Sequence, residues 1–144
     1  MKIVVTGAGS GIGRATAELA AASGAAVICA DIKGADVTAS SITSAGGSAD
    51  AVELDVRDAS GWDTLTSEAL AKYSRIDGLC QVAGIVSPTP DSAVELTEDG
   101  WNLILDIAGQ PPQLARADME QRQDQRTDQT EQHQREVGNP CADA

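Results

Sequence analysis

Short apolar runs alternate with helix-like segments along the first hundred residues. Ile3-Val4-Val5, residues 25–30, residues 49–54 and residues 76–82 are brief runs rich in Val, Ile, Ala and Leu. Runs of this length with little polar alternation predict strands covered on both faces. Between them, residues 14–22 are rich in Ala, Leu, Arg and Glu, which favour helix. Residues 36–45 read as a second helix with Asp36 as its N-cap, Gly46-Gly47 as its end, and a thin apolar stripe through Val37, Ile42 and Ala45. From Asp58 to Tyr73, the residues Trp62, Leu65, Ala69, Leu70 and Tyr73 share one face, as core packing requires. A fourth helix follows Thr97, where Trp101, Ile104, Leu105 and Ala108 fall at i, i+3, i+4 and i+7. Ser87-Pro88-Thr89-Pro90 reads as a loop before it. Strands that alternate with helices predict an α/β fold with a parallel, doubly wound sheet.

The first strand-to-helix turn is Thr6-Gly7-Ala8-Gly9-Ser10-Gly11-Ile12-Gly13. Glycine lets the backbone bend sharply there, and without a Cβ a ligand can approach closely. The N–H groups at the start of the next helix have no intrahelical acceptor, and the helix dipole is positive at that end. Together these favour a pyrophosphate, whereas a turn of purely structural purpose would also use two glycines. The second strand ends at Asp31, eighteen positions after Gly13. A carboxylate there can accept hydrogen bonds from the adenosine ribose and repel a 2′-phosphate, which points to NAD over NADP. The alternative is a solvated carboxylate at a strand end.

The glycine spacing does not fit G-x-G-x-x-G in any register. It does fit T-G-x-x-x-G-x-G, and in this the chain resembles the short-chain dehydrogenase/reductase family. The resemblance implies a Rossmann-like sheet of strand order 3-2-1-4, with the fourth strand at an edge. It also implies a cofactor site at Gly7, Ser10, Gly11, Ile12, Gly13, Asp31, Ile32, Asp55, Val56, Ala83 and Gly84. Asp55-Val56 would lie beside the adenine, and Ala83-Gly84 keeps the small pair of the family's N-N-A-G while Gln81 and Val82 replace its asparagines. Trp101 and Ile107 match the family's next helix, but Ala108 stands where an Asn of its proton relay would be. The family moves hydride between nicotinamide and an alcohol or ketone, using Tyr-x-x-x-Lys and an upstream Ser. An adjacent ammonium lowers the phenol's pKa for that task. Here the one tyrosine is Tyr73, with Asp77 four positions on, and the lysines are Lys2, Lys33 and Lys72. No catalytic or metal-binding residue is therefore assigned.

From Gly109 the character changes to Gln, Arg, Asp and Glu in close alternation, with Leu114, Met119 and Val137 too sparse to form a buried face. The sequence thus divides into residues 1–108, a nucleotide-binding domain, and residues 109–144, a segment expected to be disordered or a solvated helix. His133 among its glutamines reads as solvent-exposed. A change of this kind inside a family motif is expected to reflect a reading-frame or splice change, which the coding DNA decides. The expected protein is then an incomplete oxidoreductase or an inert nucleotide- or partner-binding module, with self-association through the Trp101/Ile104/Leu105 face.

Charge removes several other classes. The chain has 144 residues and a formal net charge of −12. Nucleic acids and anionic membranes both select clustered positive charge, so neither is an expected partner. No segment reads as a membrane span or signal peptide, and Cys29, Cys80 and Cys141 have no metal spacing. Reduced thiols in a cytoplasmic protein are the expected reading. With no Phe at all, the core must be built from small aliphatic side chains.

Overall fold

Val4 and Val5 are fully buried at the centre of the sheet, where the apolar run predicts a strand covered on both faces. The computed structural model describes residues 1–86 and 96–109. The expected loop at 87–90 and the polar segment from residue 110, with His133 and Cys141, lie outside the described residues. Four strands, β1 (Lys2–Thr6), β2 (Ala26–Asp31), β3 (Ser48–Glu53) and β4 (Gly78–Gln81), form one parallel sheet in the order β3-β2-β1-β4. Three helices intervene, α1 (Gly11–Ala22), α2 (Ala35–Ser44) and α3 (Ala59–Tyr73), and α4 (Glu98–Ala108) follows β4. Both the doubly wound class and the strand order agree with the sequence.

Small side chains bring α1 and α2 close to the sheet. Ala17 and Ala21 of α1 and Ala39 and Ile42 of α2 share one cluster with Ile3, Val5, Val27 and Cys29. Burial pushes the Cys29 thiol up to about 11, with Asp50 and Glu18 adding to the effect, so it behaves as a small apolar residue. On the other side of β2, Ile28 faces Leu65 and Ala69 of α3 across a small cavity, and Trp62 anchors that helix with an indole N–H donated to Val56 O at 2.9 Å. Asp58 and Thr97 are the N-caps of α3 and α4, their side chains accepting from Ser60 N and Gly100 N. Among the described residues no helix is long and apolar enough to cross a membrane.

Two details differ from the sequence reading. Gly34, at φ +76°, caps α2, and Asp36 falls inside the first turn. The buried face of α2 runs through Ala35, Thr38, Ala39 and Ile42, while Val37 is exposed. A polar threonine thus occupies the core position, for a reason found in the glycine-rich turn.

β4 pairs with β1, and a side chain of β1 also holds the residues that follow β4. The Thr6 hydroxyl, fully buried, accepts from Val82 N at 3.1 Å and from Ala83 N at 3.2 Å. Thr6→Val keeps the shape and strips two N–H groups of their acceptor. It is expected to cost about 1–3 kcal/mol. Chemical denaturation of wild type, Thr6→Val and Thr6→Ser checks this, and equal stability of all three would show that β4 is held by other contacts.

Candidate functional site

All four strands run in one direction, so their C-terminal ends meet on one edge, where crevices form in open α/β sheets. There a cavity of about 370 Å³ is lined by the turn after β1, the ends of β2 and β4, and the segment after β3. Every residue expected from the sequence lines it: Gly7, Ser10, Gly11, Ile12, Gly13, Asp31, Ile32, Asp55, Val56, Ala83 and Gly84. Leu54, Arg57, Val82, Ile85 and Ile107 complete the wall. Of these, only Arg57 carries charge, and nothing in the glycine spacing pointed to it.

The turn leaves room where a ligand would need it. Gly11 has φ +50°, a region L-residues rarely adopt, and a Cβ built on it would meet no atom within 4 Å. Gly9 is tight for the opposite reason, since a Cβ there would stand 1.8 Å from Lys33 O. The β2–α2 connection therefore lies directly against the turn. Arg14 N–H donates to Ser10 O at 3.1 Å as α1 begins, and the N–H groups ahead of it lack intrahelical acceptors. Ser10, Gly11 and Ile12 are exposed at this helix end.

The charged groups are arranged in two pairs of contacts. Asp31 accepts Gly9 N–H on Oδ2 at 2.8 Å and Lys33 N–H on Oδ1 at 3.2 Å, so its carboxylate is fixed by backbone on either side. Asp55 accepts from Arg57 Nε at 2.9 Å and from Arg57 N at 3.0 Å, with Nη2 on its other oxygen. These bonds with Arg57 hold the Asp55 carboxyl down at about 2, so it is ionised throughout the neutral range. Both partners are partly solvated, which limits what the ion pair adds to stability.

Tyr73 lies apart from this cavity. Its hydroxyl donates to Asp50 Oδ2 at 2.5 Å, and it lines a second cavity with Ile28, Leu65 and Lys72. Burial and the bond to Asp50 push its pKa up, the direction opposite to that of a phenol used for proton transfer. Trp101 and Leu105 on α4 are exposed, Ile104 is half-buried, and Ile107 turns to the cavity.

Comparison with known proteins places this geometry. The sequence matches the family model described as short chain dehydrogenase over residues 1–124, well beyond Ala108 where the motif-by-motif resemblance ends. It is 41% identical over 105 residues to cis-4-hydroxycyclohexanecarboxylate dehydrogenase of Sinomonas cyclohexanicum, covering 72% of this chain and 42% of that protein. It is 37% identical over 107 residues to 3-oxoacyl-[acyl-carrier-protein] reductase of Synechocystis, again covering 72% of this chain and 42% of the relative. Among solved structures, the citronellol catabolism dehydrogenase AtuB of Pseudomonas aeruginosa superposes with a TM-score of 0.67 at 34% identity, over 74% of this chain and 44% of that one. The chain thus spans 42% of the length of these curated relatives.

Proposed function

The chain belongs to the short-chain dehydrogenase family, and from that membership we propose that it binds NAD(H) in the cavity at the strand ends. It would contribute the dinucleotide-binding part of a reaction that passes hydride between nicotinamide and an alcohol or ketone. The observation that carries this reading is the open space at Gly11, beside the start of α1, in the same cavity as Asp31. The turn fits a pyrophosphate because glycine leaves the space and the helix end supplies unpaired N–H groups. Asp31 and Asp55 would meet the adenosine, and Val56, Ala83 and Gly84 give it apolar or small walls. When bound, the nicotinamide supplies the hydride donor or acceptor. The protein's part is to hold it against the ends of β1 and β4.

Preference for NAD over NADP rests on charge. Among the described residues the one cation lining the cavity, Arg57, is already bonded to Asp55, and Asp31 presents a carboxylate. Lys33 is exposed two positions beyond it. Asp31→Asn keeps an acceptor for Gly9 N–H and removes the charge. It is expected to narrow the gap between NAD and NADP by about tenfold, the size of one charge-assisted hydrogen bond or repulsion. Asp31→Ala should weaken NAD as well. Calorimetric titration of both cofactors into the three proteins tests this, and equal affinity of the unmutated chain for both would remove the argument.

A second reading, binding without catalysis, is favoured by the commitment of Tyr73 to Asp50 outside the cavity. A cytoplasmic setting and self-association through exposed Trp101 and Leu105 belong to either reading. A strictly monomeric chain in sedimentation equilibrium would rule the association out.

A further inference from the structure

The four backbone groups of Ala8 and Gly9 are all bonded within the protein. Ala8 N–H donates to Ala30 O at 3.2 Å, and Gly9 N–H donates to Asp31 Oδ2 at 2.8 Å. On the carbonyl side, Ala8 O accepts the Thr38 hydroxyl at 2.8 Å, and Gly9 O accepts Arg14 Nη2 at 2.5 Å. Arg14 Nε in turn donates to Thr38 Oγ1 at 3.1 Å, joining the two carbonyl contacts into one brace. Thr38 is fully buried on the face of α2 that otherwise presents Ala and Ile. A hydroxyl in such a place needs a partner, and one hydrogen allows it a single strong donation. Its oxygen lies 3.3 Å from Gly34 O as well, but the shorter contact is to the turn, thirty residues upstream.

Resting on the nucleotide-binding reading, we propose that Thr38 and Arg14 are positioning residues for the pyrophosphate: Thr38 fixes the Ala8 carbonyl and the Arg14 guanidinium, and Arg14 fixes the Gly9 carbonyl, so that the N–H groups from Ser10 onward stay open to the cavity. A Gly9–Ser10 peptide plane that turned over would exchange the Ser10 N–H for the Gly9 carbonyl oxygen on the cavity side, replacing attraction for a phosphate with repulsion. Glycine resists that rotation least of all residues, since its backbone has the most conformations open to it. The brace restrains a turn that its own composition would leave loose. Arg14 also places a positive charge behind the turn, with its guanidinium on Gly9 O.

The test separates the phosphate part of the ligand from the rest. ADP carries the diphosphate, while adenosine reaches only the Asp31 and Asp55 side of the site. Both are titrated into the full 144-residue chain by ligand-observed NMR, with wild type, Thr38→Val, Thr38→Ser and Arg14→Met compared. Thr38→Val is expected to weaken ADP about tenfold, the scale of one buried hydrogen-bonding group left unpaired. Adenosine should lose severalfold less than ADP, because Asp31, although tied to the turn through Gly9 N–H, keeps its second bond from Lys33 N–H. Thr38→Ser, which keeps the hydroxyl, should recover ADP, and Arg14→Met should follow Thr38→Val. Loss of ADP and adenosine in equal proportion would make Thr38 a general packing residue and overturn the proposal. So would unchanged ADP affinity in both Thr38→Val and Arg14→Met. Wild type that binds no ADP overturns the nucleotide-binding reading itself, before any variant is compared.

Discussion

The 144-residue polypeptide is expected to bind NAD and to turn over no alcohol or ketone. Hydride transfer to a carbonyl develops charge on oxygen, and a proton partner positioned there typically contributes ~10²–10⁴-fold. Oxyanion stabilisation adds about 10²–10³-fold more. The one tyrosine, Tyr73, donates its hydroxyl to Asp50 in a different cavity, and its pKa is raised, chiefly by burial. Ala108, near Ile107 of the cavity wall, has no polar group to relay a proton. Residues 110–144 contain neither Ser nor Tyr. The check is a broad panel of alcohols and ketones with NAD(H), followed by the absorbance of reduced nicotinamide. Turnover that copurifies with the chain and is lost in Gly11→Asp would sink this expectation. If that turnover also vanished in His133→Ala, the imidazole would be its proton partner.

Gly11→Asp is expected to lower NAD affinity by about 10² or more while the chain stays folded. The site has room, since a Cβ at Gly11 meets nothing within 4 Å. Asp enters the left-handed region more readily than most residues, so the backbone strain is about 1–2 kcal/mol at most. The new carboxylate would stand at the start of α1, where the proposed reading puts the pyrophosphate. Two like charges about 4 Å apart near a protein surface repel by up to ~4 kcal/mol. Solvent and salt reduce this, and a hundredfold loss needs only about 2.7 kcal/mol. The measurement is calorimetric titration beside a thermal melt. Binding within threefold of wild type in a folded variant would mean that the phosphates lie elsewhere. Gly13 makes an instructive contrast, because a Cβ there would sit 2.0 Å from Gly7 O and disturb the fold first.

Much of this site was legible because its determinants are local. The Thr6–Gly13 turn is contiguous, and Asp31 is found by its distance from the turn. The strand ends at Asp55-Val56 and Ala83-Gly84 follow from short apolar runs. What the sequence alone does not display depends on distant partners. Thr38 looks like a polar interruption of α2 until Ala8 O is brought to it across thirty residues. Val37 looks like the better core residue on hydropathy alone, yet it is exposed. Arg57 carries no signal of its own, because only the turn after β3 folds its guanidinium back onto Asp55. The hold of Thr6 on Val82 and Ala83 was likewise hidden, since the sequence shows only that two asparagines are missing. Asp36 has the side chain of a cap, yet Gly34 provides a left-handed start to α2 without any side-chain bond.

The position of β4 beside β1 makes that pair the longest-range closure in the sheet. Gly9 and Asp31 are 22 residues apart, and the turn, β2 and α2 close on one another within short loops. Lys2 and Asp77, which bond at the mouth of the β1–β4 pair, are 75 residues apart. Closing the longer loop costs roughly 1 kcal/mol more in chain entropy than closing the shorter one. The wall bearing Asp31 is therefore secured by near neighbours in the chain, while the wall bearing Ala83 and Gly84 depends on a long-range closure. The two hydrogen bonds accepted by Thr6 fall at that seam and help to offset a closure of longer range than any other strand pair requires.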